Sequence, residues 1–267
     1  MSRVLFNRIF LKRHFTAAGR PNVIGQSPNP NYKPGDPTIS PFQNSESDFQ
    51  LFNVNDEKNK SIFYKLLISA VTPRPIAFIS TKGLDGICNV SPYSFFNAMG
   101  YDPPTLVFGC LARRNETGES DTLKNLKETK TCVVNIISDW FVEASNHSCG
   151  PYDPNVDEIP LSGLTTLPST VVDVPRIKES AVQMECKLHQ LVPMENDSGK
   201  ITQTICIVKV VAFHINKHVY DEKSGVVDTE ALKPVARLGG DAYSSLGNIY
   251  NLARPNKDGS PGKLRFG

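Results

Sequence analysis

The residues from Pro73 to Pro104 are those whose types and spacing could do chemistry, and they read PRPIAFISTKGLDGICNVSPYSFFNAMGYDPP. An apolar run leads into a glycine turn, then into a stretch dense in hydroxyl and amide side chains, then into two prolines. Proline lacks a backbone donor and interrupts strand pairing, so backbone groups near Pro92 are free to bind something else. The segment therefore predicts a site for one flat polar ligand.

A second candidate site lies at the start of a predicted helix, Ser120–Lys130. Unpaired N–H groups and the helix dipole favour an anion at a helix N-terminus. Ser120 and Thr122 would add hydroxyls, and Lys124 and Arg114 would add positive charge. An ordinary capped surface helix is the alternative. Arg74, between two prolines, is another anion-binding candidate, with a surface arginine as its alternative.

Strand-like runs dominate the elements that must position these residues. The sequence predicts a short helix within Asn55–Ala70, followed by the strands PIAFIST, ICNVSPYSFF, PTLVFGCL and TCVVNIIS. Two long strands, AVQMECKLHQLVPM and ITQTICIVKVVAFHI, are joined by the polar turn ENDSGK. Because most strands follow one another with few helices between, we expect an antiparallel barrel with helical additions.

Three segments occur in a fixed order: PRPIAFIST…NVSPYSFFNAM…DPP, then SDTLKNLKET…VVNI, then RLGGDAY. Together they resemble the flavin reductase-like family of FMN-binding split barrels, the flavoredoxin group, over residues 64–254. The resemblance implies a mostly β fold, an antiparallel split β-barrel with a few helices, and FMN as cofactor. It also implies a homodimer with the flavin near the dimer interface.

The resemblance, with the demands of FMN for anion, hydroxyl and ring contacts, implies which residues bind the cofactor. Tyr93–Asn97 would contact the ring and ribityl chain, Ser80 and Thr81 the ring, and the Cys110–Ala112 backbone the flavin. Phe95, Phe96 and Cys110 could instead be core residues. The full predicted set is Arg74, Ser80, Thr81, Tyr93, Ser94, Phe95, Phe96, Asn97, Cys110, Leu111, Ala112, Ser120, Thr122, Lys124, Arg237 and Tyr243.

The reaction is implied less firmly than the cofactor. Many family members pass hydride from NAD(P)H to flavin, and some carry a histidine near the nicotinamide where this chain has Gln203. A neutral amide replaces a titratable ring there, so Gln203 is the candidate catalytic residue and rapid NAD(P)H oxidation is in question. The alternatives are a non-enzymatic flavin carrier or sensor, and a relative of the pyridoxamine phosphate oxidases, which share the split barrel.

The composition of the chain limits the classes of binding partner that we expect. The chain has 267 residues and a formal net charge of +2, which favours neither nucleic acid nor a membrane surface, and we expect no membrane span. It has no G-x-G-x-x-G or P-loop motif, so a pyridine nucleotide would stack directly on the flavin. Six cysteines without C-x-x-C spacing predict reduced core thiols and no metal site.

The predicted domain organisation has four parts. Residues 1–20 are basic, apolar and free of acids, which is typical of a mitochondrial transit peptide; a disordered basic tail or a surface-binding helix is the alternative, and the location would otherwise be cytoplasmic. Residues 21–55 form a flexible Pro/Asn-rich arm. Residues 56–255 form the split-barrel domain, and residues 256–267 form a disordered tail.

Overall fold

The computed structural model describes residues 25–38, 40–42, 45–113, 118–153, 155–260 and 262–264. The predicted transit peptide and Arg114 therefore lie outside the described residues. The helices are α1 Lys60–Ala70, α2 Asp121–Thr129, α3 Val142–His147, α4 Glu158–Leu161 and α5 Thr229–Leu232. The strands are β1 Arg74–Pro75, β2 Ala77–Lys82, β3 Cys88–Tyr93, β4 Phe96–Tyr101, β5 Pro104–Leu111, β6 Thr131–Ile136, β7 Thr166–Leu167, β8 Arg176–Ile177, β9 Val182–Glu195, β10 Ile201–Ile215, β11 Tyr220–Asp221, β12 Val226–Val227, β13 Val235–Arg237 and β14 Tyr243–Ser245.

The main sheet has seven strands in the order β3-β2-β6-β9-β10-β5-β4, and every neighbouring pair is antiparallel. Its longest pair is the predicted β9–β10 hairpin, which turns through residues 196–200, where Asn196 N–H donates to the Lys200 carbonyl at 2.9 Å. Neighbouring strands in sequence pair readily because short turns close antiparallel pairs. The predicted strand PTLVFGCL is β5 with the same bounds.

The sheet curls around an apolar core. Alternate residues of β5 face this core, so Leu106, Phe108 and Cys110 are buried among residues of β2, β6, β9 and β10. The ring of Tyr93, on edge strand β3, lies 5.4 Å from the ring of Phe108 and brings the two ends of the sheet together. The fold is thus mostly β, an antiparallel split barrel with a few helices, as the sequence predicts.

The predicted strand ICNVSPYSFF is wrong in one respect, because it is two strands. β3 ends at Tyr93, the chain bends at Ser94 and Phe95, and β4 begins at Phe96. Strand alternation therefore does not run through the bend. The Phe95 carbonyl accepts from Gly109 N–H at 2.9 Å, which holds the bend against β5.

A smaller sheet of β1, β13 and β14 brings the chain end back to the barrel. In this sheet Arg74 of β1 pairs with Arg237 of β13, and Arg237 pairs in turn with Tyr243 of β14. Beneath it, Ile76, Phe78 and Val235 belong to a second buried cluster. Residues 74 and 237, distant in sequence, are therefore neighbours on one wall.

The proline-rich segment 150–180, predicted as a loop, contains α4, β7 and β8. The fully buried Glu185 of β9 fixes its second half: the carboxylate accepts from the backbone N–H groups of residues 170–172 at 2.6–2.9 Å. His214 Nε2 lies 2.6 Å from Glu185 Oε1. Desolvation raises the pKa of Glu185, but these hydrogen bonds more than offset it and hold the pKa at about 2. His214 therefore supports the buried Glu185 carboxylate.

Candidate functional site

A cavity of about 530 Å³ opens where the β3–β4 bend, the end of β5, the start of α2 and the β13–β14 turn meet. That volume is within the usual range for small-molecule and cofactor sites. Nine of the predicted cofactor-binding residues line it, drawn from all the segments that the sequence singled out: Arg74, Tyr93, Ser94, Phe95, Leu111, Ala112, Ser120, Arg237 and Tyr243. Segments far apart in sequence thus converge on one polar cavity.

Four other predicted residues point away from the cavity into buried positions. Ser80 Oγ donates to the Pro175 carbonyl at 2.7 Å, and Thr81 Oγ1 accepts from Asn125 Nδ2 at 3.2 Å. Cys110 Sγ lies 3.8 Å from Cys206 Sγ in the barrel core, so the core alternative holds for its side chain. Thr122 Oγ1 lies 2.8 Å from the side-chain amide of Asn89. These side chains hold the barrel together beside the cavity.

The remaining predicted residues also lie outside the cavity lining. Phe96 packs against the barrel core, and Asn97 is exposed on β4, where its Oδ1 accepts from Ala98 N–H. Gln203 is half-buried on β10, opposite Leu111, one strand away from the cavity. Lys124 lines a separate pocket of about 10 Å³.

That small pocket is acidic and lies beside α2. The buried carboxylate of Glu158 accepts from Val90 N–H at 3.1 Å. Desolvation raises the pKa of Glu158 to about 7, and the nearby charge of Asp121 adds to the rise. A pocket of this volume holds little more than a water molecule. Lys124 therefore faces carboxylates here rather than the large cavity.

Arg74 is buried rather than a surface residue. Its guanidinium donates to the carbonyls of Ile68, Val71 and Leu238, and Nε lies 3.4 Å from Ser94 Oγ. These bonds tie the end of α1 to the turn after β13. Burial lowers the pKa of Arg74 and the charge of Arg237 lowers it further, but guanidinium remains charged at neutral pH.

Arg237 belongs to a pre-formed wall of the cavity. Its guanidinium lies over the Tyr243 ring, 4.4 Å from the centroid, and Nη2 donates to the Gly240 carbonyl at 2.7 Å. The Tyr243 hydroxyl in turn donates to Asn146 Oδ1 at 2.9 Å. A cation–π contact and two hydrogen bonds therefore fix the position of this charge.

The start of α2 forms the opposite anion-binding candidate. Ser120 is the N-cap of α2, and its Oγ accepts from Leu123 N–H at 3.2 Å. The Tyr93 hydroxyl lies 3.4 Å from Ser120 Oγ, and burial raises the pKa of Tyr93, so the phenol stays neutral. The Tyr93 side chain, which packs against the barrel core, therefore contacts the N-terminus of α2.

Several lining residues have no counterpart in the sequence prediction. Tyr64 and Ile68 come from α1, Asn146 and Cys149 from α3 and the turn after it, and Arg113 from the end of β5. None belongs to a motif, because tertiary packing alone brings these elements to the cavity. The described residues hold no group of three or more histidine, cysteine or acidic side chains arranged for a metal.

The family model described as flavin reductase like domain matches residues 69–232. The chain belongs to the flavin reductase-like family. A protein of Halalkalibacterium halodurans is 37% identical over 200 residues, 75% of this chain and 94% of that protein. Nitrilotriacetate monooxygenase component B from Bacillus cereus has 34% identity and a TM-score of 0.71, covering 76% of this chain and 98% of its own. Pseudomonas fluorescens 2-nitrobenzoate 2-nitroreductase has 29% identity and a TM-score of 0.64, and the match covers 80% of this chain and 96% of the reductase chain.

Membership in this family of flavoprotein oxidoreductases implies a flavin cofactor, and the cavity fits one. It combines arginine charges and serine hydroxyls with one wall, at Gly109, that carries no side chain. A Cβ at Gly109 would make ordinary contact with Phe95 Cβ at 3.5 Å, so Gly109 brings the backbone of β5 to the cavity beside the Phe95 side chain. Charge, hydroxyls and an accessible backbone are what the phosphate, ribityl chain and ring need.

The comparisons give no support to the mitochondrial address. The relatives and structures named above are bacterial. Residues 1–20, which carry that prediction, precede the family match and lie outside the described residues. No helix among the described residues is long and apolar enough to cross a membrane.

Proposed function

We propose that this flavin reductase-like chain binds FMN in the large cavity. It would pass hydride from NAD(P)H or another small donor to the flavin, and on to an acceptor. The observation that carries the proposal is the convergence in one cavity of the Tyr93–Phe95 bend, the Leu111–Ala112 backbone and Ser120. FMN rather than FAD rests on the resemblance in sequence motifs.

The residues divide between the parts of FMN. Ser120 and the N-terminus of α2 would hold the phosphate, because free N–H groups and the helix dipole favour an anion there. Ser94 and the bend between β3 and β4 would face the ribityl chain and ring edge. Gly109 and Ala112 would let the ring lie against β5.

Bound flavin supplies the hydride chemistry, and the chain supplies orientation and polarisation. The Tyr93 ring packs against Phe108 and its hydroxyl lies beside Ser120, which connects the start of α2 to the barrel core. Arg74 holds the wall behind Ser94 by its carbonyl bonds. No buried carboxylate or histidine lines the described part of the cavity, so no proton donor other than water or Tyr93 is assigned.

A flavin carrier or sensor remains the second candidate, and Gln203 favours it. Its backbone pairs with Leu111, a cavity residue, but its own side chain is outside the cavity lining. A neutral amide one strand away from the cavity offers a nicotinamide no charge.

Anaerobic reduction separates the two candidates. The FMN-loaded protein is mixed with NADH or with NADPH, and flavin absorbance is followed with time. We expect bleaching within seconds with at least one nucleotide, since the open cavity leaves room for a second ring. Protein that stays oxidised for minutes with both nucleotides would contradict the reductase function, while retained FMN would still support the carrier.

We also propose a homodimer, with strand β4 and helix α1 at the interface. β4 is an edge of the main sheet and exposes Met99 and Tyr101, and α1 exposes Tyr64 and Leu67. Unpaired edge strands with exposed large apolar residues are typical of association sites. Light scattering on the purified protein should give twice the 29.4 kDa of the chain. A single-chain mass at micromolar concentration would refute the dimer.

A further inference from the structure

The charge along the described lining of the large cavity is unbalanced. Three arginines line it, Arg74, Arg113 and Arg237, and Asp241 is the one acid among the described lining residues. Asp241 lies 3.5 Å from Arg237 Nη2, but its side chain is fully exposed. Exposed ion pairs of this kind contribute little, so Asp241 does not neutralise the wall.

Two of these arginines oppose each other directly. Arg74 on β1 and Arg237 on β13 are Cα partners in an antiparallel pair. Like charges directly opposite destabilise a sheet. The carbonyl bonds of Arg74 engage most of its donors, whereas Arg237 is fixed by Tyr243 and Gly240 and still borders the cavity. An arrangement that costs stability and faces a cavity is typical of a binding site.

This pair lies on a different wall from the proposed phosphate site. Ser120 begins α2, which packs against β2 and β3, whereas Arg237 belongs to the small β1-β13-β14 sheet. FMN carries one phosphate, which the proposed site at the start of α2 would hold. We propose that Arg237, supported by the charge of Arg74, binds an oxyanion on the second substrate, a phosphate or a carboxylate. The inference rests on the proposed flavin function, because it concerns the same cavity.

Calorimetry with two probes tests the proposal and separates the sources of the oxyanion. FMN-loaded protein is titrated with inorganic pyrophosphate and with benzoate. We expect at least one probe to bind, and Arg237→Gln to weaken that binding about tenfold or more, since a charge-assisted hydrogen bond is lost. Arg237→Lys should retain part of the affinity. Lys223→Gln, a change of the same charge on the exposed β11–β12 turn, should match the wild type.

Riboflavin lacks the phosphate of FMN. A comparison of the affinities for FMN and for riboflavin therefore shows whether Arg237 binds the flavin phosphate or another anion. We expect Ser120→Ala to reduce the preference for FMN and Arg237→Gln to leave it unchanged. The proposal is overturned if neither probe binds the wild type, or if Arg237→Gln binds both probes as the wild type does. It is also overturned if Arg237→Gln abolishes the FMN preference, or weakens FMN and riboflavin alike, because the pair would then hold the flavin itself.

Failure of the flavin function would look different. Protein that takes up neither FMN nor riboflavin would refute that function. The same probes and variants are then titrated against the flavin-free protein. Binding that depends on Arg237 supports the anion site, and binding that does not depend on Arg237 overturns it.

Discussion

Replacing Glu185 by alanine is expected to lower the free energy of unfolding by about 3 kcal/mol, because a fully buried carboxylate that accepts several hydrogen bonds is lost. The carboxylate is fully buried and accepts from three consecutive backbone N–H groups, the Thr170 hydroxyl and His214. Removing it leaves those donors without their acceptor, and the Val172 N–H is then unpaired in a buried position. Urea unfolding measures the loss. The exposed Glu222→Ala is the control and should stay within about 0.5 kcal/mol of the wild type.

The same carboxylate makes stability depend on pH in a defined direction. Its pKa is about 2 in the folded chain and 4.5 ordinarily, so folding stabilises the charged form. Its stabilisation is complete above about pH 4.5 and is lost as the pH falls towards 2. The difference corresponds to on the order of 3 kcal/mol. Glu185→Gln should lack this acid-dependent loss; an identical acid transition in both proteins would contradict the role of Glu185.

Replacing Gly109 by leucine is expected to lower FMN affinity about 100-fold. Gly109 lies on the cavity face of β5, and a Cβ there makes only ordinary contact with Phe95. The rest of a leucine side chain would occupy the space proposed for the ring, and overpacking of this kind costs about 1–3 kcal/mol. FMN fluorescence titration measures the change, with Gly109→Ala as the matched control.

The control separates the site from the fold. We expect Gly109→Ala to bind FMN within a few-fold of the wild type, and Gly109→Leu to keep the wild-type circular dichroism. Leucine and alanine variants with equal FMN affinity would show that the flavin does not lie against β5.

Local patterns were enough for the elements that carry the site. The helix that begins after Ser120, the strand Pro104–Leu111 and the β9–β10 hairpin follow from capping residues, apolar runs and turn residues, and the structure confirms them. The break between β3 and β4 was missed, because the bend at Ser94 and Phe95 depends on the Phe95 carbonyl bonding to Gly109. No local signal encodes that contact.

The individual side chains were harder to predict than the segments. Ser80 and Thr122 belong to the right segments, but buried hydrogen bonds turn them away from the cavity. Arg74 was predicted to bind the cofactor. In the fold its guanidinium donates to the carbonyls of Ile68 and Leu238, which are too far apart in sequence to be predicted as its partners. Asn146 and Cys149 reach the cavity through the packing of α3.

The proposed function depends on flavin binding in the cavity between the β3–β4 bend, the end of β5 and the start of α2. A crystal structure of the protein with saturating FMN tests it most directly. We expect the isoalloxazine ring to lie against Gly109 and Ala112, with the phosphate at Ser120. Flavin density elsewhere on the chain, or an empty cavity at saturating FMN, would contradict it.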